Sequence, residues 1–219
     1  MEITHFGHSC VLVELDGTRI LFDPGTMSHG FEGLTGLDAI LITHQHPDHC
    51  DVGRLPNLVG ENPQAIRIAD PQTAAQLNSD DVAGEWTAAL AGGQVGVGAV
   101  TARFTGGRHA VIHPEIPVVD NVAYVLGTAT APGRFMHPGD SFYIPFEQVD
   151  VLALPSAAPW MKLSESVDYL RAMAPRVAVP IHQAVLSDAG TSVHYARLQE
   201  MKDPGTEFVV LGEESATQV

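Results

Sequence analysis

Thr43-His44-Gln45-His46-Pro47-Asp48-His49 carries three imidazoles and a carboxylate within six consecutive residues. The short apolar run Asp38-Ala39-Ile40-Leu41-Ile42 leads into it and reads as a buried strand. The cluster therefore stands where a strand ends and a loop begins, the place from which a rigid scaffold aims side chains into a cleft. Imidazole is the commonest protein metal ligand, and Asp is ionised at neutral pH. If the chain stays extended after Thr43, residues two apart face the same side, so His44, His46 and Asp48 point one way. Pro47 supports this, because a residue before proline is biased toward extended geometry. His49 breaks the parity and reaches the same centre only if the chain turns at Asp48. One short segment can then serve two metal ions. Without a cation it would be a solvated, His-rich loop.

His44-x-His46-x-Asp48-His49 resembles the H-x-H-x-D-H signature of the metallo-β-lactamase superfamily. The resemblance implies an α/β (α+β) fold, a four-layer αββα sandwich with a one- or two-metal site at one edge. It also requires three further ligands downstream, each after a strand: a His, an Asp or Cys, and a final His. His109 fits the first, in Thr105-Gly106-Gly107-Arg108-His109. Asp140 fits the second, in His137-Pro138-Gly139-Asp140, and His182 the third, after Val177-Ala178-Val179-Pro180-Ile181. A short motif alone carries a false-positive risk, but these segments occur in the expected order across most of the chain. The opening Ile3-Thr4-His5-Phe6-Gly7-His8-Ser9-Cys10 resembles the first strand and turn of the small metal-dependent hydrolases around the L-ascorbate-6-phosphate lactonases. Ile20-Leu21-Phe22-Asp23-Pro24-Gly25 resembles the family's strand ending in Asp-Pro-Gly. By that resemblance Asp23 holds the metal loop in place without touching metal, and such outer hydrogen bonds fix ligand orientation and basicity.

The resemblance further implies that His44, His46 and His109 hold one ion, that Asp48, His49 and His182 hold another, and that Asp140 bridges them. A nitrogen-rich mixed site with open positions suits two Zn2+, with Mn2+ or Fe2+ as alternatives. A water between two cations loses a proton easily, and the resulting hydroxide is the nucleophile, with the metals polarising the scissile carbonyl or phosphoryl oxygen. Asp48 is a candidate proton shuttle and Asp140 the catalytic bridge. In diiron, oxygen-reducing relatives a Glu commonly stands where His46 does here, so His46 favours hydrolysis. Asp140 in place of Cys points away from antibiotic-hydrolysing lactamases and toward lactonases, thioesterases and phosphodiesterases.

The composition agrees. Of 219 residues, 45% are hydrophobic and 17% charged, as in a globular protein, and residues 1–219 read as one domain. No apolar run is long enough for a membrane span, and the chain moves from Met1-Glu2 straight into a strand-like stretch with no signal peptide visible. Two cysteines, Cys10 and Cys50, suggest no disulfide framework. A cytoplasmic protein is expected. The formal net charge of −15 repels phosphate backbones, which argues against a nucleic-acid partner. The expected partner is a small-molecule substrate, with oligomeric state left open.

Strands are expected over 2–5, 9–15, 18–23, 38–43, 66–69, 95–105, 121–127, 134–137, 150–154, 177–181 and 207–211. Asp16-Gly17 marks a hairpin. Three helices are expected: 71–78 capped by Asp70 with proline at its first position, 165–173 capped by Ser164, and 192–201 capped by Thr191. His8, His113 and His137 are candidates for pocket-lining or ligand-supporting roles, each weighed against a purely structural one. His5, His29 and His194 have no motif behind them. Cys50 reads as a small buried hydrophobe, Trp160 as a candidate pocket wall, and Arg108 as a surface charge that could meet an anion. The expected function is a metal-dependent hydrolase of a lactone, thioester or phosphodiester. The alternatives are a phosphodiesterase on a nucleotide or lipid headgroup, and a non-catalytic metal-binding regulatory protein.

Overall fold

The computed structural model describes residues 1–219. Two seven-stranded sheets organise them. The first runs, in spatial order, β14 (Thr217–Gln218), β1 (Glu2–His5), β2 (Val11–Leu15), β3 (Thr18–Phe22), β4 (Ala39–Ile42), β5 (Ile66–Ala69) and β6 (Thr87–Ala88). The second runs β13 (Glu207–Phe208), β12 (Val177–Ile181), β11 (Val151–Pro155), β10 (Phe135–His137), β9 (Val122–Gly127), β8 (Val100–Gly106) and β7 (Gln94–Val97).

Side-chain alternation explains how they pack. In β2, Val11, Val13 and Leu15 join a central apolar cluster, while Leu12 joins an outer one. In β9, Val122, Tyr124 and Leu126 face the centre, and Ala123 and Val125 face outward. Successive residues of a strand point to opposite faces, so strands apolar on both parities must be covered on both sides. The central cluster draws on both sheets. The outer face of the first sheet is covered by α1 (Leu55–Glu61) and α2 (Pro71–Ser79), through Leu55, Leu58, Ala74 and Leu77. The outer face of the second is covered by α3 (Leu163–Met173), through Val167, Leu170 and Met173, and by α4 (Asp188–Met201), through Leu198. The result is the expected four-layer αββα sandwich.

Strand direction places the chemistry. β1 and β3 are both antiparallel to β2, and β3, β4 and β5 are mutually parallel. These four strands end at one edge. β8 and β10 are both antiparallel to β9, and β10, β11 and β12 are parallel, so these four also end together. The two edges are stitched by backbone bonds from Val122 N–H to Thr43 O (2.9 Å) and from His182 N–H to His8 O (2.9 Å). The buried Tyr124 hydroxyl adds a bond to Ile42 O at 2.9 Å. No helix is long and apolar enough to cross a membrane.

Several boundaries differ from the sequence expectation. The strand expected over 95–105 is the hairpin β7–β8, broken at Gly98, whose φ is +56°. α1 was not expected, because it is short and its N-cap Arg54 makes no side-chain cap bond. Ser164 does not cap α3. Lys162 is the N-cap, and its backbone N–H donates to Glu165 Oε2 at 2.6 Å. Thr191 does not cap α4 either. Ser187 does, accepting from Gly190 N–H, and the glycine in the first turn hid that start. Asp70 caps α2 as expected, accepting from Gln72 and Thr73 N–H.

Candidate metal centre

Each residue of the centre stands just past a strand end: His8 after β1, His44 to His49 after β4, His109 after β8, Asp140 after β10 and His182 after β12. The loop after β4 turns where its sequence requires, with His49 and Cys50 N–H both donating to His46 O at 2.9 Å. This turn brings His49 round to the side of its neighbours. Gly25 lets the chain after β3 pass close beneath it, since a Cβ there would lie 1.8 Å from Asp48 O.

Two groups of side chains result, each offering ligand atoms within 4.8 Å of one another: His44, His46, His109 and Asp140, and His8, Asp48, His49 and His182. Asp140 joins them. Its Oδ1 lies 3.1 Å from His49 Nε2 and 3.2 Å from His182 Nε2, while Oδ2 lies 3.2 Å from His109 Nε2. In the second group Asp48 Oδ2 lies 3.8 Å from His49 Nε2 and 3.5 Å from His182 Nε2. In the first, His44 Nε2 and His46 Nδ1 are 3.0 Å apart. Ligand atoms about 2.0–2.1 Å from a tetrahedral ion are separated from each other by about 3.4 Å, so these spacings match such a site.

The far sides of four of the imidazoles are tied down. His49 Nδ1–H donates to Asp23 Oδ2 at 2.7 Å, His109 Nδ1–H to Ala110 O at 2.5 Å and His182 Nδ1–H to Ala157 O at 2.7 Å. Thr43 Oγ1 donates to Asp23 Oδ2 at 2.7 Å and stands 3.1 Å from His44 Nδ1. A committed Nδ1–H fixes the tautomer and leaves the Nε2 lone pair facing the centre. His49 Nε2, His109 Nε2, His182 Nε2 and Asp140 Oδ1 are all buried and have no hydrogen-bond partner. Buried polar atoms are ordinarily satisfied, and orphans cost stability. Four orphans converging from four loops make a donor set suited to a cation, so these residues fit a metal centre.

The electrostatics agree. Burial pushes His44 well below the usual imidazole range, reinforced by the charge of His49. Burial also works against a charged His49, but Asp140 and Asp23 outweigh it and hold its pKa well above the usual value. Burial disfavours an ionised Asp140, yet His49 and His182 hold its carboxyl well below the usual range. The centre crowds carboxylates and imidazoles into a buried space, and a divalent cation there would replace the proton that His49 otherwise holds.

Asp23 is fully buried beneath the centre, with Oδ1 accepting from Thr43 N–H at 2.7 Å. His8 is buried, and its Nε2–H donates to Asp48 Oδ2 at 3.0 Å. Its ring lies 3.9 Å from that of His182, and burial lowers its pKa to about 4. His137 is buried and satisfied at both nitrogens, with Nε2–H donating to Ser9 O and Nδ1 accepting from Gly139 N–H. His113 is not brought in: it is exposed and accepts from Glu115 N–H within its own loop. His5 supports His8 by donating to its carbonyl, and Arg108 is exposed. Cys10 and Cys50 are free and buried, and burial raises the Cys50 thiol to about 12, which makes it inert.

Sequence reasoning missed the supporting roles of Asn121, Gly139, Arg54 and Trp160. Asn121 accepts from Asp140 N–H at 3.0 Å and donates to Pro138 O at 3.0 Å, clamping the turn that presents Asp140. Gly139 in that turn has φ +60°, and a Cβ there would lie 2.2 Å from Asn121 Oδ1. Arg54 donates to Gly25 O and Ser28 O, anchoring the loop that follows Asp23. Trp160, expected only as a pocket wall, donates its Nε1–H to Asp140 Oδ2 at 2.7 Å. Only the His-Pro-Gly-Asp turn left a sequence signal.

Comparison with known proteins agrees with this geometry. Residues 2–182 match a family described as the beta-lactamase superfamily domain. Protein Rv0786c of Mycobacterium tuberculosis is 59% identical over 216 residues, covering 99% of both chains. A protein of Rhizobium etli named as a metal-dependent hydrolase is 34% identical over 148 residues, covering 64% of this chain and 59% of its own. The solved structure of the metallo-beta-lactamase fold protein YhfI from Bacillus subtilis superposes with a TM-score of 0.73 at 16% identity, covering 99% of this chain and 98% of that one.

Proposed function

The chain belongs to the beta-lactamase superfamily, and on that premise we propose that it is a metal-dependent hydrolase with a binuclear, zinc-type centre acting on a small ester-like substrate. The observation that carries this reading is the convergence of four buried, unpartnered ligand atoms on His49, His109, His182 and Asp140. The relative named as a metal-dependent hydrolase supports the reaction class. His44, His46 and His109 would hold one ion, Asp48, His49 and His182 the other, and Asp140 both. Bound there, Zn2+ would supply an acidified water and a Lewis acid for a carbonyl or phosphoryl oxygen.

The chain's own residues do the rest. Asp23 and Thr43 fix the rings of His49 and His44. Asp48, whose side chain is 21% exposed, is the carboxylate best placed to pass a proton toward a leaving group; burial works against its charge, but the His8 hydrogen bond holds its carboxyl well below the usual range, so it would hold that proton only in passing. His8 holds that oxygen in position and ties it to His182 through its own carbonyl. No side-chain nucleophile is required. A net charge of −15 disfavours polyanionic substrates and leaves a lactone, thioester or single phosphodiester. Residues 1–219 act as one domain, in line with a central core drawn from both sheets.

The test is turnover of p-nitrophenyl esters and bis-p-nitrophenyl phosphate with metal content measured alongside. We expect two ions per chain, loss of turnover with a chelator and its return with Zn2+ or Mn2+. A fully metallated protein inert across a broad ester panel would overturn the hydrolase reading, and one ion per chain at saturating supply would overturn the binuclear one.

A further inference from the structure

We propose that Trp160 is a positioning residue for the bridging carboxylate. Its indole N–H fixes Asp140 so that Oδ2 faces the His44, His46 and His109 half of the centre while Oδ1 faces the other half. This rests on the metal-centre reading above and assigns a role to a residue that touches neither proposed ion.

The contact has one chemical sense. An indole nitrogen is a donor only and a carboxylate accepts, so Trp160 Nε1–H donates to Asp140 Oδ2 at 2.7 Å, a charge-assisted bond. The two carboxylate oxygens thereby differ. Oδ2 holds the indole and stands 3.2 Å from His109 Nε2, whereas Oδ1 has no hydrogen-bond partner and stands between His49 and His182. Asn121 holds the backbone N–H of Asp140 but makes no bond to its carboxylate, and the indole N–H is the hydrogen-bond donor that tells Oδ2 from Oδ1.

Trp160 is itself held. Its ring meets Phe142 edge-on at 4.9 Å and lies 6.2 Å from the His109 ring. It belongs to the loop between β11 and α3, which also supplies Ala157 O to His182 Nδ1. One short loop therefore grips a ligand of the second group through a carbonyl and the bridge through an indole. Losing an outer hydrogen bond to a ligand typically costs about 10–100-fold in metal affinity. The loss here should fall on the half that Oδ2 faces.

The chain contains two tryptophans, and Trp86 serves as an internal control because its Nε1–H donates to Val82 O inside a different cluster. In 15N-labelled protein, we expect the Trp160 indole resonance to move on adding Zn2+ and in metal-free Asp140→Asn, while that of Trp86 stays. Zn2+ titration of Trp160→Phe, which keeps an aromatic ring and removes the N–H, should weaken one binding step about 10–100-fold and leave the other within about threefold. His109→Ala and His182→Ala assign the steps to the two halves. Equal affinities in wild type and Trp160→Phe, or equal weakening of both steps, would overturn the proposal. If the variant does not fold, a Trp160 resonance unmoved by both Zn2+ and Asp140→Asn overturns it in the native chain. Failure of the wild-type chain to bind Zn2+ would instead sink the metal-centre reading.

Discussion

The two ends of the sandwich hold charged clusters of opposite character. At the N-terminal ends of β10, β11 and β12, Arg134, Asp150 and Arg176 line a cavity of about 410 Å³. Arg176 Nε and Nη2 reach the two oxygens of Asp150 at 2.8 and 3.1 Å, and Arg103 pairs with Glu147 nearby. At the C-terminal ends, a cavity of about 350 Å³ borders the centre at Gly7 and His8. Size does not separate the two ends; hydrogen-bond satisfaction does. The arginine end pairs its charges in partly exposed positions, where water screens them and each pair contributes little. The histidine end buries its groups and leaves four ligand atoms without partners. A fold that keeps unsatisfied atoms in its interior gives up stability there, and a bound cation recovers it.

Three substitutions test that contrast, in falling order of effect. Asp140→Ala removes the atoms facing both halves, so metal content should fall from two ions toward none and turnover to background. The stabilisation conferred by metal, about 4 kcal/mol per ion at a thousandfold excess over Kd, should go with it in thermal melts. Retention of both ions would place Asp140 outside the ligand set. Asp23→Asn keeps the shape beneath His49 and removes the charge. It should weaken binding about 10–100-fold and lower stability by about 1–3 kcal/mol in denaturant titration, and an unchanged affinity would mean that Asp23 does not tune the ligand. Arg176→Ala at the other end should change stability by no more than about 1 kcal/mol and leave metal binding untouched. A larger cost or a metal effect would break the contrast between the ends.

Legibility followed sequence distance. His44, His46, Asp48 and His49 could be read because they stand within six residues, but the extended chain expected through Asp48 is a turn from His46 to His49, which sets Asp48 with His49 rather than with His44 and His46. His109, Asp140 and His182 could be read from their order and from the strands before them. The Asp70 cap was legible because Asp-Pro encodes it locally. α1 was not, because a short helix without a side-chain cap gains its stability from burying Leu55, Leu58 and Val59. The split of 95–105 hung on one positive-φ glycine. Asn121 and Trp160 lie 19 and 20 residues from Asp140, in separate loops that only the second sheet brings together. His113 and His137 looked equivalent in sequence, yet one is exposed on its loop and the other buried against Ser9.

The sequence alone determined the candidate ligand types, the strand alternation and therefore the layered class, because periodicity and residue chemistry are local properties. Tertiary structure decided the rest. It set which strand ends share an edge, which nitrogen of each imidazole is free, and that His8 stands on Asp48 and Trp160 on Asp140. Those choices depend on hydrogen-bond partners far apart in the chain, such as His8 and His182. No local pattern specifies such partners. They are selected when two sheets close on a common core and buried polar groups take the partners within reach.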